Sequence, residues 1–148
     1  MAEQPFAIRQ ISVFLDNKPG SLAKMARHLA DKGINLRALS LAETRDFGTV
    51  RLVVLDPDKC MRALREMDYH FIETDVLAIE VDDRPGGMAD ALEIITREQL
   101  NVEYIYSMVS TKAGFAVVIL RVSDPERACA ALQAKEVKLL TIKDIAAL

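Results

Sequence analysis

The sequence predicts an α+β fold: two tandem copies of a small ferredoxin-like βαββαβ domain, packed as a pair, each an antiparallel sheet with helices on one face. Three observations lead there. Asp16-Asn17-Lys18-Pro19-Gly20-Ser21-Leu22-Ala23 recurs as Asp82-Asp83-Arg84-Pro85-Gly86-Gly87-Met88-Ala89, a shift of 66 residues. A period-2 apolar run precedes each segment, and an apolar stripe of helical period follows it. Repetition at this period means two copies of one unit rather than a single 148-residue fold.

The elements follow in order. Ile11, Val13 and Leu15 alternate along a first strand, and Leu77, Ile79 and Val81 repeat them. Leu22, Met25, Ala26 and Leu29 form the stripe of the first helix, matched by Met88, Ala91, Leu92 and Ile95. Gly33 is placed to end that helix, whereas Gln99 in the second copy implies a different cap. Asn35-Leu36 and Asn101-Val102 open extended stretches reaching Thr44 and Thr111, and Gly48 and Gly114 are expected in matching hairpin turns. Third strands are predicted over 49–55 and 115–122.

Asp56-Pro57 and Asp124-Pro125 then read as helix starts, because Asp accepts orphan amide hydrogens and Pro has none to lose. They stand 68 apart, which implies two residues inserted at the end of the second copy's third strand. Helices over 57–67 and 125–134 and last strands over 70–76 and 138–142 complete the copies. The predicted domains are 7–76 and 77–148. A unit of this size buries only about 60% of its unfolded surface, so the copies are expected to pack together.

Composition excludes several functions. No run of about 18 apolar residues exists, so no membrane span is expected, and the opening residues lack the pattern of a signal peptide. Cys60 and Cys129 read as small hydrophobes and suit a reducing, cytoplasmic location. A net charge of −3 argues against nucleic acid. His28 and His70 are isolated, so no metal and no cofactor are expected. No nucleophile triad, Walker loop or dinucleotide fingerprint is present, so no catalytic residue is assigned.

The repeated segment is the candidate site. A helix start offers free amides and a partial positive charge, which suit a carboxylate. Asn17 can donate or accept, while an ionised Asp83 only accepts. Ordinary capping by Asn17 or Asp83 and a plain Pro-Gly turn explain the same residues equally simply. The matching Asn35 and Asn101, poor strand formers, tip the reading towards a site.

The motifs Leu15-Asp16-Asn17-Lys18-Pro19-Gly20-Ser21-Leu22 and Gly33-Ile34-Asn35-Leu36, with their copies around 82–88 and 101–102, resemble the ACT domain, a small-molecule-sensing regulatory module. The resemblance implies a tandem ACT protein without catalytic activity, binding an amino-acid effector at the interface of paired modules. Carried over, the ligand-binding positions are Asn17, Pro19, Gly20, Ser21, Leu22 and Asn35, with Asp83, Gly86, Gly87, Met88 and Asn101 in the second copy. A homodimer and a regulated enzyme of unknown identity are the expected partners. The competing expectation is a protein-interaction module without a working ligand site. Acylphosphatase and RNA-binding readings share the topology but lack an Arg-bearing phosphate loop and stacking aromatics respectively. Asp83 against Asn17 and Gly87 against Ser21 suggest two unequal pockets, the first the stronger.

Overall fold

The structure is a computed structural model that describes residues 5–108 and 110–148. The chain divides into two compact units. The amino-terminal unit is Arg9–Thr74; the carboxy-terminal unit is Asp75–Leu148 with residues 5–8.

The amino-terminal unit holds β1 (Ile8–Asp16), α1 (Ser21–Asp31), β2 (Ala38–Glu43), β3 (Phe47–Val53), α2 (Pro57–Glu66) and the start of β4 (His70–Asp82). Its strand order is β2-β3-β1-β4. Ile11, Val13 and Leu15 share a sheet face with their partners Leu52, Val50 and Gly48. That face packs on Met25 and Leu29 of α1 and on Cys60 and Leu64 of α2. His28 reinforces the helix pair, its Nε2–H donating to the Ala63 carbonyl at 2.7 Å.

The carboxy-terminal unit repeats the pattern with the remainder of β4, α3 (Gly87–Arg97), β5 (Val102–Met108), β6 (Phe115–Val122), α4 (Pro125–Ala134) and β7 (Lys138–Leu140), in the order β7-β4-β6-β5. Leu77, Ile79 and Val81 pack on Ala91, Ile95, Cys129 and Leu132. Met88 departs from the predicted stripe: its side chain is 41% exposed, and Ile94 packs against this core instead. Burial pushes the Cys60 thiol up to about 11 and raises that of Cys129, as befits cysteines serving as core hydrophobes.

Strand register moves the two-residue insertion. Phe47 pairs with Asp16, and Phe115 pairs with Asp82, so the copies are already 68 apart at the start of the third strand. The extra residues therefore lie in the β5–β6 turn, not at the end of the third strand. Gly48 and Gly114 consequently do not match. Gly48 sits inside β3 opposite Leu15, while Gly114 is in the turn at φ 82°. The counterpart of Gly114 is Asp46: its carbonyl accepts the Asn17 amide at 2.9 Å, as that of Gly114 accepts the Asp83 amide at 3.0 Å.

Helix ends bring a second correction. Gly33 (φ 73°) ends α1, with its amide donating to Ala30 O and that of Ile34 to Leu29 O. The same double bond, a Schellman motif, ends α3, α2 and α4, with Gln99, Asp68 and Glu136 held at φ 58°, 57° and 60°. Gln99 therefore does not call for a different cap. Left-handed backbone costs a non-glycine residue about 1–2 kcal/mol, partly offset by the chain entropy that glycine loses on folding. Gln99→Gly is expected to stabilise the carboxy-terminal unit by about 0.5–1 kcal/mol in urea unfolding. An unchanged or lowered midpoint would count against that reading.

Two further boundaries differ. The predicted strands around 70–76 and 77–81 are one uninterrupted strand of 13 residues, since no Gly or Pro interrupts 70–82. The predicted last strand stops at Leu140, and Thr141 caps a short helix, α5 (Ile142–Ala146). Thr141 Oγ1 accepts from the Asp144 amide, and Asp144 Oδ2 accepts from the Thr141 amide at 2.8 Å. That backbone bond, above all, lowers the Asp144 pKa. The Thr-x-x-Asp spacing was the signal for this capping box.

Candidate functional site

The four long helices fall into two kinds. Asp56 Oδ1 accepts from the Lys59 amide at 3.0 Å, and Asp124 Oδ1 from the Arg127 amide at 3.2 Å, so α2 and α4 carry the predicted Asp caps. Each such cap stabilises its helix by about 1 kcal/mol. The helices that follow the repeated motif, α1 and α3, start instead from Gly20 and Gly86 in the left-handed region, with no side-chain cap. Pro19 and Pro85 accordingly precede the cap instead of occupying the first helical position.

The consequence is chemical. The Ser21 amide closes onto Lys18 O at 3.3 Å and the Lys24 amide onto Gly20 O at 2.9 Å. The intervening amides of Leu22 and Ala23 have no partner among the described residues. The same holds for Met88 and Ala89, between the Gly87 and Asp90 amides that close onto Arg84 O and Gly86 O. Each motif thus leaves two adjacent donors at a positive helix end, an arrangement that can accept one carboxylate.

Asn17 does not cap α1. Its Nδ2 donates to Thr44 O at 2.9 Å, fastening the β1–α1 turn to the β2–β3 turn. Asp83 is exposed and does not cap α3. The capping explanation for these two residues is thereby removed.

A cleft lies beside each motif. In the amino-terminal unit, about 260 Å³ is lined by Lys18, Ser21, Lys24, Asp68, Tyr69 and His70 among others. In the carboxy-terminal unit, about 330 Å³ is lined by Asp82, Arg84, Gly87, Asp90, Glu136 and Lys138 among others. Of the predicted residues only Ser21 and Gly87 line these clefts.

Asn35 and Asn101 are elsewhere. Glu43 pairs with Gly48, which pairs with Leu15, whereas Ala38 pairs with Val53 beyond the Ile11–Leu52 pair. The start of β2 therefore lies at the opposite end of the sheet from Asn17, about 20 Å away along a six-residue strand. Asn35 lines a different cavity of about 200 Å³, between Gly33 and the Asp56 cap of α2. Asn101 exchanges bonds with Ser123, its amide donating to Ser123 Oγ at 3.1 Å and its carbonyl accepting from the Ser123 amide at 3.0 Å. Within either unit, no single small ligand reaches both ends.

Four charged residues escaped the sequence reading: Lys18, Lys24, Arg84 and Asp90. The first turn of α1 contains no acid, while that of α3 contains Asp90. Lys24 and Asp90 occupy the same place in the repeat, so the charge inversion was visible at the 66-residue shift. Arg84 commits three of its five N–H donors, bonding Asp90 at 2.7 Å, Pro85 O at 3.2 Å and Asp82 at 3.3 Å. The bond to Asp90, chiefly, raises the pKa of Arg84. Among the described residues the Lys18 ammonium pairs with Asp16 alone, at 3.5 Å with both side chains well exposed. No group of three or more metal-ligating side chains occurs among the described residues, and no described helix is long and apolar enough to cross a membrane.

A family model for an ACT domain pair matches residues 6–148. A crystal structure of a protein from Bacteroides thetaiotaomicron superposes with a TM-score of 0.90 at 36% identity, covering 97% of this chain and 98% of that one. The regulatory subunit of aspartate kinase from Thermus thermophilus shares the fold, with a TM-score of 0.65, 21% identity, and coverage of 88% and 92%. That from Thermus flavus gives 0.63, 19%, 87% and 90%. No curated protein gives a significant match.

Proposed function

The chain belongs to the ACT domain pair family, a regulatory class, and on that footing we propose that it is a non-enzymatic sensor of a free amino acid or a close analogue. The effector's carboxylate sits on the open amides of Leu22 and Ala23 at the start of α1. The observation that carries this reading is the contrast in capping: α2 and α4 close their first turns with Asp side chains, and α1 leaves its own open. The helix dipole adds about 0.3–1 kcal/mol for an anion there, and Lys18 and Lys24 supply positive charge at the cleft. Asn17 holds the turn in place through Thr44, and its amide oxygen, with the Asp16 and Asp68 carboxylates that line the cleft, offers acceptors for an ammonium group. Regulation requires that the effector favour one arrangement of the protein over another.

The test is a thermal-shift screen of the twenty amino acids. A ligand at one hundred times its Kd contributes about 2.7 kcal/mol to the folded state, which raises Tm by several degrees. At least one amino acid is expected to do so, and Asn17→Ala is expected to abolish the shift. If none of the twenty moves Tm, or if the variant responds like the wild type, the sensor reading fails. The first of these outcomes favours the interaction-module alternative.

A further inference from the structure

The two repeats differ where a carboxylate would land, and the difference lies in both backbone and charge. In the amino-terminal turn the Lys18 amide donates to Asp16 O at 3.0 Å, and position 21 carries a side chain. In the carboxy-terminal turn the Asp82 carbonyl presses on the helix start, so that a Cβ at Gly87 would stand 2.0 Å from Asp82 O. A residue like Ser21 has no room there. Arg84, the counterpart of Lys18, reaches across to Asp90 and Asp82 and spends its guanidinium on them. Asp90 itself stands one turn into α3, where Lys24 stands in α1. An anion approaching the Met88 and Ala89 amides therefore meets Asp82, Asp83 and Asp90 with Arg84 already engaged, Lys135 and Lys138 being the other cations that line the cleft and Lys138 standing 4.0 Å from Glu80.

Building on the function proposed above, we propose that each chain carries one effector site, at the α1 turn, and that Asp90 is the specificity-determining residue that keeps the α3 turn from taking a carboxylate by holding Arg84. The pair acts as a built-in substitute for the ligand: a carboxylate already bound to the arginine that would otherwise greet it. Removing the Asp90 charge releases Arg84 and removes one of the acids near the open amides. Both side chains are more than half exposed, so substitution disturbs no core.

The experiment follows backbone amide shifts by NMR in full-length protein titrated with each of the twenty amino acids, and measures stoichiometry by calorimetry with whichever one binds tightest. In the wild type, Leu22 and Ala23 are expected to shift while Met88 and Ala89 stay still, with one ligand per chain. In Asp90→Asn, and in Asp90→Lys, which restores the residue of the first repeat, Met88 and Ala89 join and stoichiometry rises to two. Arg84→Ala, which deletes the cation, is expected to stay at one. Saturation of both turns in the wild type, or a stoichiometry of one in both Asp90 variants, overturns the inference and leaves the sensor reading intact. Silence at all four amides with every amino acid overturns both.

Discussion

Gly87→Ala is expected to destabilise the carboxy-terminal unit by about 2–3 kcal/mol, the upper range for forcing volume into a packed site. The cause is steric. A Cβ at this position would stand 2.0 Å from the Asp82 carbonyl oxygen and 3.0 Å from its carbon, both backbone atoms that no rotamer change can move. Either α3 or the end of β4 must shift. Gly20→Ala provides the contrast: nothing lies within 4 Å, and its cost is the left-handed backbone at φ 86° alone, about 1–2 kcal/mol. Urea unfolding of both variants ranks them. A Gly87→Ala protein as stable as the wild type would mean that the Asp82 carbonyl yields freely.

Leu29→Ala carries the other large effect. Leu29 is fully buried in the amino-terminal core, and its carbonyl accepts the Ile34 amide that closes the end of α1. Truncation removes its transfer free energy and leaves a cavity, together about 2–5 kcal/mol. In a unit of this size each kcal/mol lowers Tm by about 4–8 °C, so a fall of ten degrees or more is expected by calorimetry. Because α1 presents the open amides of Leu22 and Ala23, the variant is also expected to bind the proposed effector more weakly. A drop of less than about 4 °C, corresponding to under 1 kcal/mol, would show that neighbouring side chains collapse into the space.

The candidate site was only half legible. The motif pointed to a helix start with free amides, where the Leu22 and Ala23 amides are found unpartnered among the described residues, but it did not separate a ligand role for Asn17 from a cap. From Asp16-Asn17-Lys18-Pro19-Gly20 alone, Asn17 is as good a cap as a ligand, because the two roles need the same side chain. Only the bond from Asn17 to Thr44, 27 residues later, separates them. Asn35 matched Asn101 perfectly in sequence, yet strand register puts both at the far end of their sheets from the turns.

What the sequence determined by itself is whatever local chemistry decides. The duplication, the βαββαβ order, the Asp-Pro starts of α2 and α4 and the buried positions Ile11, Val13, Leu77 and Ile79 all follow from periodicity and from residues acting within a turn of themselves. The tertiary structure decided the rest, because it turns on contacts between distant segments. Pairing of Phe115 with Asp82 placed the insertion in the β5–β6 turn. Schellman bonds, with the following residues Leu100, Tyr69 and Val137 packed on the cores, held Gln99, Asp68 and Glu136 in a conformation their own preferences oppose. The closing of Arg84 onto Asp90, six residues away across the start of α3, made the second turn unlike the first. A repeat in sequence copies the backbone plan, whereas each unit's electrostatics are set by which side chains the fold brings within reach.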